Sequence, residues 1–212
     1  MGNCSSAKLL ARGIETIRIS RRFASDNDVT LFPGDAQTLL DAMPERSVQL
    51  VVTSPPYNIG KAYERKKKTS VDEYVTQQRA TIMRCAALLK PGGSICWQIG
   101  NHVSDNEVYP IDIMLYPVFR ELGLVLRNRI VWHFGHGLHT KRRFSGRYEV
   151  VMWYSKTKDY VFNLDPVRIP SKYPGKRHFK GPRSGELSGN PLGKNPEDVW
   201  FIPNCKLGRR AA

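Results

Sequence analysis

Val51-Val52-Thr53-Ser54-Pro55-Pro56-Tyr57-Asn58 decides the reading of this chain: a short apolar run ends abruptly in a polar residue, two prolines and an aromatic ring. Val48 to Val52 alternate too little for a one-sided strand and read as a buried strand of a parallel sheet. Adjacent prolines donate no ladder hydrogen bonds, and Pro56 biases Pro55 toward an extended conformation. The backbone therefore leaves the sheet at its carboxyl end on a stiff path, the edge at which open α/β sheets bind ligands. The stretch offers the Ser54 hydroxyl, free carbonyls at Pro55 and Pro56, and an exposed Tyr57 ring. Such a set grips a flat, amino-bearing ring: Ser54 and the Pro55 carbonyl accept from the amine while Tyr57 lies against the face. Taken alone, Ser-Pro-Pro-Tyr also fits a turn or a proline-rich linker.

The surrounding 212 residues are strongly basic, with a formal charge of +14 and a pI near 9.8. That excess attracts polyanions, so nucleic acid leads the expected partners and an anionic membrane surface comes second. No run of 18 apolar residues occurs, so no spanning segment is expected. Cys4, Cys85, Cys96 and Cys205 form no Cys-x-x-Cys pair, against a zinc ribbon or disulfide framework. Cys85 and Cys96 lie in apolar segments and read as buried thiols in a reducing compartment. Met1-Gly2-Asn3-Cys4-Ser5-Ser6 matches a myristoylation pattern that is short and weakly specific.

Upstream of the central run, residues 1–28 carry no sustained period and read as a mobile arm. Val29 to Phe32 suggest a short strand closed by Pro33-Gly34-Asp35, and Ala36 to Met43 a short helix. Downstream, Lys61, Arg65, Lys66, Lys67 and Lys68 follow the strand end directly; phosphate contact is favoured over a merely solvated loop. Ser70-Val71-Asp72-Glu73 is a capping box opening a helix of about five turns, ended by Lys90-Pro91-Gly92-Gly93. Ser94 to Ile99 form the next strand, completing a βαβ unit that brings Gly100-Asn101-His102 to the edge where Ser54 lies. Pro110 opens a helix to Leu122 that Pro117 is expected to kink or restart. Leu124 to Trp132 and Tyr148 to Tyr154 are two more strands, joined by a basic loop. His133, His136 and His139 in that loop lack supporting ligands, so no metal is expected.

At Ser54-Pro55-Pro56-Tyr57 the sequence resembles the β-type amino-group DNA methyltransferases, whose motif is [Asp/Asn/Ser]-Pro-Pro-[Tyr/Phe/Trp]. Gly34-Asp35, Lys90-Pro91-Gly92-Gly93 and Arg147-Tyr148-Glu149 stand where the β-type order puts them, so the match runs from residue 29 to 204. The resemblance implies an α/β fold: a Rossmann-like, circularly permuted sheet serving S-adenosylmethionine-dependent methyl transfer. It makes Ser54, Pro55, Pro56 and Tyr57 the catalytic residues and Asp35, Ser54 and Tyr57 the candidates for the cofactor. For Asp35, a plain Gly-Asp turn is an equal reading.

The resemblance also places a hairpin of the two later strands at one sheet edge and target recognition at 157–200, after a catalytic part at 29–156 and before a return at 201–212. From Lys141 to Arg183 twelve basic residues face three acidic ones, a balance of +9, with aromatic, proline and glycine residues between. Lys141, Arg142, Arg143, Arg147, Lys172, Lys176, Arg177, Lys180 and Arg183 are the candidates for DNA contact there. The expected substrate is double-stranded DNA, with a restriction endonuclease of the same site as implied partner, no membrane, and a prokaryotic or phage cytoplasm. In such an enzyme the Met1-Gly2 pattern is coincidental.

Ser54 in the first motif position resembles the N4-cytosine enzymes more than the N6-adenine ones, which remain the alternative. The family's Phe-x-Gly-x-Gly loop, which wraps the cofactor's methionine part, has no counterpart here, and the last eight residues look unlike the preceding sequence. The expectation is therefore a sheet lacking its C-terminal strands, an unpaired edge beside Val48–Thr53, and an incomplete cofactor pocket. A catalytically inactive fragment that only binds DNA is the reading from another class. A general RNA- or membrane-binding protein leaves the Ser-Pro-Pro-Tyr context unexplained.

Overall fold

Ser70 adopts an extended conformation, and its hydroxyl accepts from the Glu73 amide at 3.1 Å. Asp72 and Glu73 add negative charge to the same first turn, so the helix starts where its orphan amides and dipole are best satisfied. In the computed structural model, which describes residues 17–57, 69–135, 137 and 139–203, this helix runs Val71–Leu88. It is preceded by β1 (Ile19–Ser20), β2 (Val29–Thr30), α1 (Ala36–Ala42) and β3 (Val48–Thr53), and is itself α2. There follow β4 (Leu89–Ile99), β5 (His102–Ser104), β6 (Glu107–Tyr109), α3 (Ile111–Glu121), β7 (Val125–His133), β8 (Tyr148–Ser155) and β9 (Val199–Phe201).

The main sheet has the order β3-β4-β8-β7-β9. Strands β3 and β4 are parallel, with Leu50 opposite Ser94 and Thr53 opposite Trp97, so β3-α2-β4 is the expected βαβ unit. Lys90-Pro91-Gly92-Gly93 is absorbed as an irregularity at the start of β4, before the regular ladder begins at Ser94. Glycine is required there: Gly92 has φ +74°, and a Cβ on Gly93 would lie 2.9 Å from the Lys90 carbonyl oxygen.

The core fills the space between α2, α3 and one face of the sheet. Ile82, Ile95, Trp97, Leu115 and Met152 are buried, and Phe119 stacks on Tyr154 at 4.3 Å with the rings 8° apart. Polar anchors fix the helices to this core. Arg129 on β7 donates through Nε to the buried Asp112 of α3 at 3.0 Å. Arg84 of α2 donates to the carbonyls of Leu40, Asp41 and Met43, satisfying the end of α1. Lys156 Nζ does the same for Ala86 and Leu89 at the end of α2, and burial there lowers its pKa. Helix α3 continues through Pro117 without ending; the bond it forfeits is to the carbonyl of residue 113.

Several expectations are corrected. Strand β3 is parallel but not buried: it has β4 on one side only, and Leu50 and Val52 are 54% and 70% exposed. Among the described residues its other edge is unpaired, as expected beside Val48–Thr53. The β7-β8 pair is antiparallel but is not itself the sheet edge, because the return of the chain adds β9 outside β7, with Trp132 opposite Trp200. Within the expected arm, Ile19–Ser20 pairs in parallel with Val29–Thr30, giving a small sheet apart from the main one. Cys85 is buried but Cys96 only half-buried. Among the described residues, no helix is long and apolar enough to cross a membrane.

Candidate active site

The carboxyl end of β3 delivers Ser54 and Pro56 to the surface, with Pro55 and Tyr57 half-buried. Ser54 Oγ lies 2.7 Å from the Tyr57 hydroxyl. That hydroxyl donates to Glu149 Oε2 at 3.1 Å, and Gln98 Nε2 donates to the same oxygen at 2.6 Å. Parallel pairing puts the ends of β3 and β4 on one side, and antiparallel pairing brings in the start of β8, so Ser54, Gln98 and Glu149 meet there. Gly100 completes the wall. A Cβ in its place would lie 3.2 Å from Tyr57 Cδ2, tighter than side chains tolerate without displacement, so glycine lets the ring settle against the strand end.

This arrangement revises two expectations. The Tyr57 ring is only half-exposed: it packs partly against the core cluster and its hydroxyl is engaged. Of the two carbonyls expected to be free, that of Pro56 accepts from the Tyr74 hydroxyl at 2.7 Å. The Pro55 carbonyl carries no hydrogen bond among the described residues. The exposed Ser54 hydroxyl and the Pro55 carbonyl thus remain the candidate acceptors at the strand end.

Asp35 is the N-cap of α1, its Oδ1 accepting from the Gln37 amide at 2.9 Å, a structural role other than the plain Gly-Asp turn expected as the alternative to cofactor binding. Its Oδ2 has no hydrogen bond among the described residues. His102 is buried at 3% exposure in the β5-β6 hairpin, its ring 5.9 Å from that of Tyr109, with Nδ1 lacking a partner among the described residues. His133 packs on Phe201, and His139 Nδ1 lies 3.5 Å from Arg147 Nη2. His136 lies outside the described residues, among which no group of metal-ligating side chains occurs.

Of the basic candidates, Lys61, Arg65, Lys66, Lys67 and Lys68 lie outside the described residues, as do Met1 to Cys4 and the last nine residues. Lys141, Arg142 and Arg143 are exposed beside Phe144, which is 99% exposed. Lys172, Lys176, Arg177, Lys180 and Arg183 are exposed on a long loop excursion between β8 and β9. The excursion is ordered by its own bonds: Ile169 bridges Lys194, Arg177 bridges Leu187, and the Ser188 amide donates to the Lys176 carbonyl. It encloses a concavity of about 610 Å³ lined by Arg168, Tyr173, Lys176, Asn190 and Leu192. Two of the expected cations are already engaged: Arg183 pairs with Glu186 at 2.8 Å, and Arg177 donates to the Gly185 carbonyl. Arg147, half-buried, bonds the Gly146 carbonyl just before β8.

Glu149 and Gln98 are members of the candidate site that sequence reasoning missed. Glu149 stood in a motif already quoted, but its convergence on Tyr57, 92 positions away, follows only from the antiparallel register of β8 against β4.

Comparison with known proteins gives the same frame. A family model described as DNA methylase, of the N6/N4 methyltransferase type, matches residues 48–211. Type II methyltransferase M.BglII of Bacillus subtilis is 48% identical over 177 residues, 83% of this chain and 49% of that protein. Type II methyltransferase M.ScaI of Streptomyces caespitosus is 34% identical over 91% of this chain and 61% of that protein. The chain thus spans about half to three fifths of the length of these curated relatives. Among solved structures, the cytosine-N4-specific PvuII DNA methyltransferase has the same fold, with a TM-score of 0.63 and 21% identity over 85% of this chain and 59% of that one. The fold, the Ser-Pro-Pro-Tyr strand end and the matched span together show that the chain belongs to the N6/N4 DNA methylase family.

Proposed function

We propose that this protein transfers a methyl group from S-adenosylmethionine to the exocyclic N4 amine of a cytosine flipped out of duplex DNA. The observation that carries the reading is the exposed Ser54 hydroxyl beside a Pro55 carbonyl that has no hydrogen bond among the described residues, on a strand end whose aromatic neighbour is held by two hydrogen bonds. An exocyclic amine is a poor nucleophile because its lone pair is conjugated with the ring. Two acceptors on its two protons favour a pyramidal nitrogen and aim the lone pair away from the ring plane. Alignment and electrostatics then supply most of the catalysis. The target must leave the stack to reach this edge, and the Tyr57 ring offers it a face.

S-Adenosylmethionine supplies an electrophilic methyl on a cationic sulfur. The residues present fit a cation, because the Ser54 hydroxyl, the Pro55 carbonyl and the Glu149 carboxylate gather acceptor oxygens at the strand end. Asp35 would hold the cofactor through Oδ2, the oxygen its helix cap leaves over. Lys141, Arg142, Arg143, Lys172, Lys176 and Lys180 would hold the phosphates, joined by Lys61, Arg65, Lys66, Lys67 and Lys68, while Arg147, Arg177 and Arg183 serve partly as internal braces. A restriction endonuclease of the same recognition site is the expected partner, and the cytoplasm the expected compartment.

Serine at position 54 favours cytosine N4 over adenine N6. Mass analysis of nucleosides from duplex DNA incubated with protein and labelled cofactor tests it. N4-methylcytosine is the expected product, and N6-methyladenine alone overturns the choice of base.

A second reading, a fragment that only binds DNA, is supported by the edge of β3 that is open among the described residues and by the exposure of Leu50 and Val52. Saturable binding of labelled S-adenosylmethionine to the 212-residue chain contradicts it.

A further inference from the structure

We propose that Glu149 is a positioning residue that, acting through Tyr57, fixes Ser54 as an acceptor and so selects amine-bearing bases over their keto counterparts. The inference rests on the reading of this strand end as an amino-group methyltransferase site and adds a relay to it. A phenol has one proton, and a carboxylate accepts only. Because Tyr57 gives its proton to Glu149 Oε2 at 3.1 Å, the 2.7 Å contact between Ser54 Oγ and the Tyr57 oxygen is made with the serine's own proton. The chain of donation runs Ser54 to Tyr57 to Glu149. Its far end is fixed by Gln98, whose amide donates to the same carboxylate oxygen at 2.6 Å.

The consequence falls on Ser54. With its proton committed inward, the hydroxyl presents only lone pairs to a ligand, and successive bonds in one direction strengthen the acceptor at the exposed end. An exocyclic amine donates to it. A ring carbonyl in the same place meets lone pair against lone pair, leaving both groups unpaired. Without Glu149, Tyr57 could donate to Ser54 instead. The serine proton would then turn outward and accommodate a keto group. Gly100 belongs to the device because the close approach of the ring to the strand end keeps the phenol within reach of Glu149.

The test compares binding of adenosine and cytidine with inosine and uridine, followed by NMR on the 212-residue protein without cofactor. It uses wild type, Tyr57→Phe, Glu149→Leu, Glu149→Gln and the Tyr57→Phe/Glu149→Leu pair, with circular dichroism as a check on folding. Wild type is expected to prefer the amino nucleosides by about tenfold. Tyr57→Phe, which removes one oxygen and keeps the ring, is expected to bring the preference close to parity. Glu149→Leu should do the same, the double variant no more, and Glu149→Gln, which retains an acceptor oxygen, should largely preserve the preference. A preference that survives Tyr57→Phe, or losses that add in the double variant, overturns the relay while leaving the methyltransferase reading in place. A wild type that binds the four alike, or none of them, overturns the assignment of Ser54 as the amine acceptor itself.

Discussion

The Tyr74 hydroxyl donates to the Pro56 carbonyl at 2.7 Å, fastening the first turn of α2 to the strand end that carries Ser54. Tyr74 is buried at 4% exposure, so the bond ties the Ser-Pro-Pro-Tyr run directly to the core. Replacement Tyr74→Phe keeps the packing and deletes the bond. A loss of about 1 kcal/mol in urea unfolding is expected, together with faster amide exchange at Tyr57. An unchanged midpoint would mean that the prolines and the Tyr57 contacts hold the run without this bond.

The outward face of β3 gives a second prediction. Leu50 and Val52 are exposed on a strand whose one edge is open among the described residues, a combination that invites pairing between copies. Val52→Lys is expected to leave stability within about 0.5 kcal/mol while lowering concentration-dependent light scattering. A loss of several kcal/mol would show that this face is covered in solution.

Burial sets the thiol chemistry. The Cys85 pKa rises from 9.0 to about 11, and that of Cys96 also rises, both through desolvation. At pH 8 only about one Cys85 in a thousand is then thiolate. Alkylation mapped by mass spectrometry should spare Cys85 until the pH approaches 11 or the protein unfolds. Because the folded pKa lies above the unfolded one, the associated stability is complete below pH 9 and is lost as the pH rises through about 11. Rapid labelling of Cys85 at pH 8 would contradict its burial.

The loop excursion between β8 and β9 is the proposed DNA-binding surface, and its lysines test that proposal. Lys176 and Lys180 are exposed and pair with no carboxylate among the described residues. If they contact phosphates, Lys180→Gln should weaken binding to all duplexes alike and reduce the slope of log affinity against log salt by about 1. A slope unchanged by the substitution would remove Lys180 from the interface.

Local chemistry was readable from sequence where a few neighbouring residues decide the outcome. Ser70 with Glu73 marked the start of α2, Pro55-Pro56 stopped β3, and the spacing between them gave the parallel βαβ unit. What depends on distant pairing was not readable. An apolar run such as Val48–Thr53 looks the same at the centre of a sheet and at its edge, and only the strand order decides that Val52 faces outward. Glu149 reaches Tyr57 through the register of three strands, which no spacing encodes. The β5-β6 hairpin was legible in principle: Asp105 and Asn106 both take positive φ, and such a pair between short strands signals a tight hairpin turn.

In the proposed reaction the Ser54 hydroxyl accepts the target amine. Single-turnover methyl transfer to duplex DNA by wild type and Ser54→Ala, with the dissociation constant for DNA determined in parallel, tests it most directly. The expected result is a rate lower by about 100-fold with an affinity for duplex changed by no more than about twofold. A Ser54→Ala protein that transfers methyl groups at the wild-type rate would contradict it.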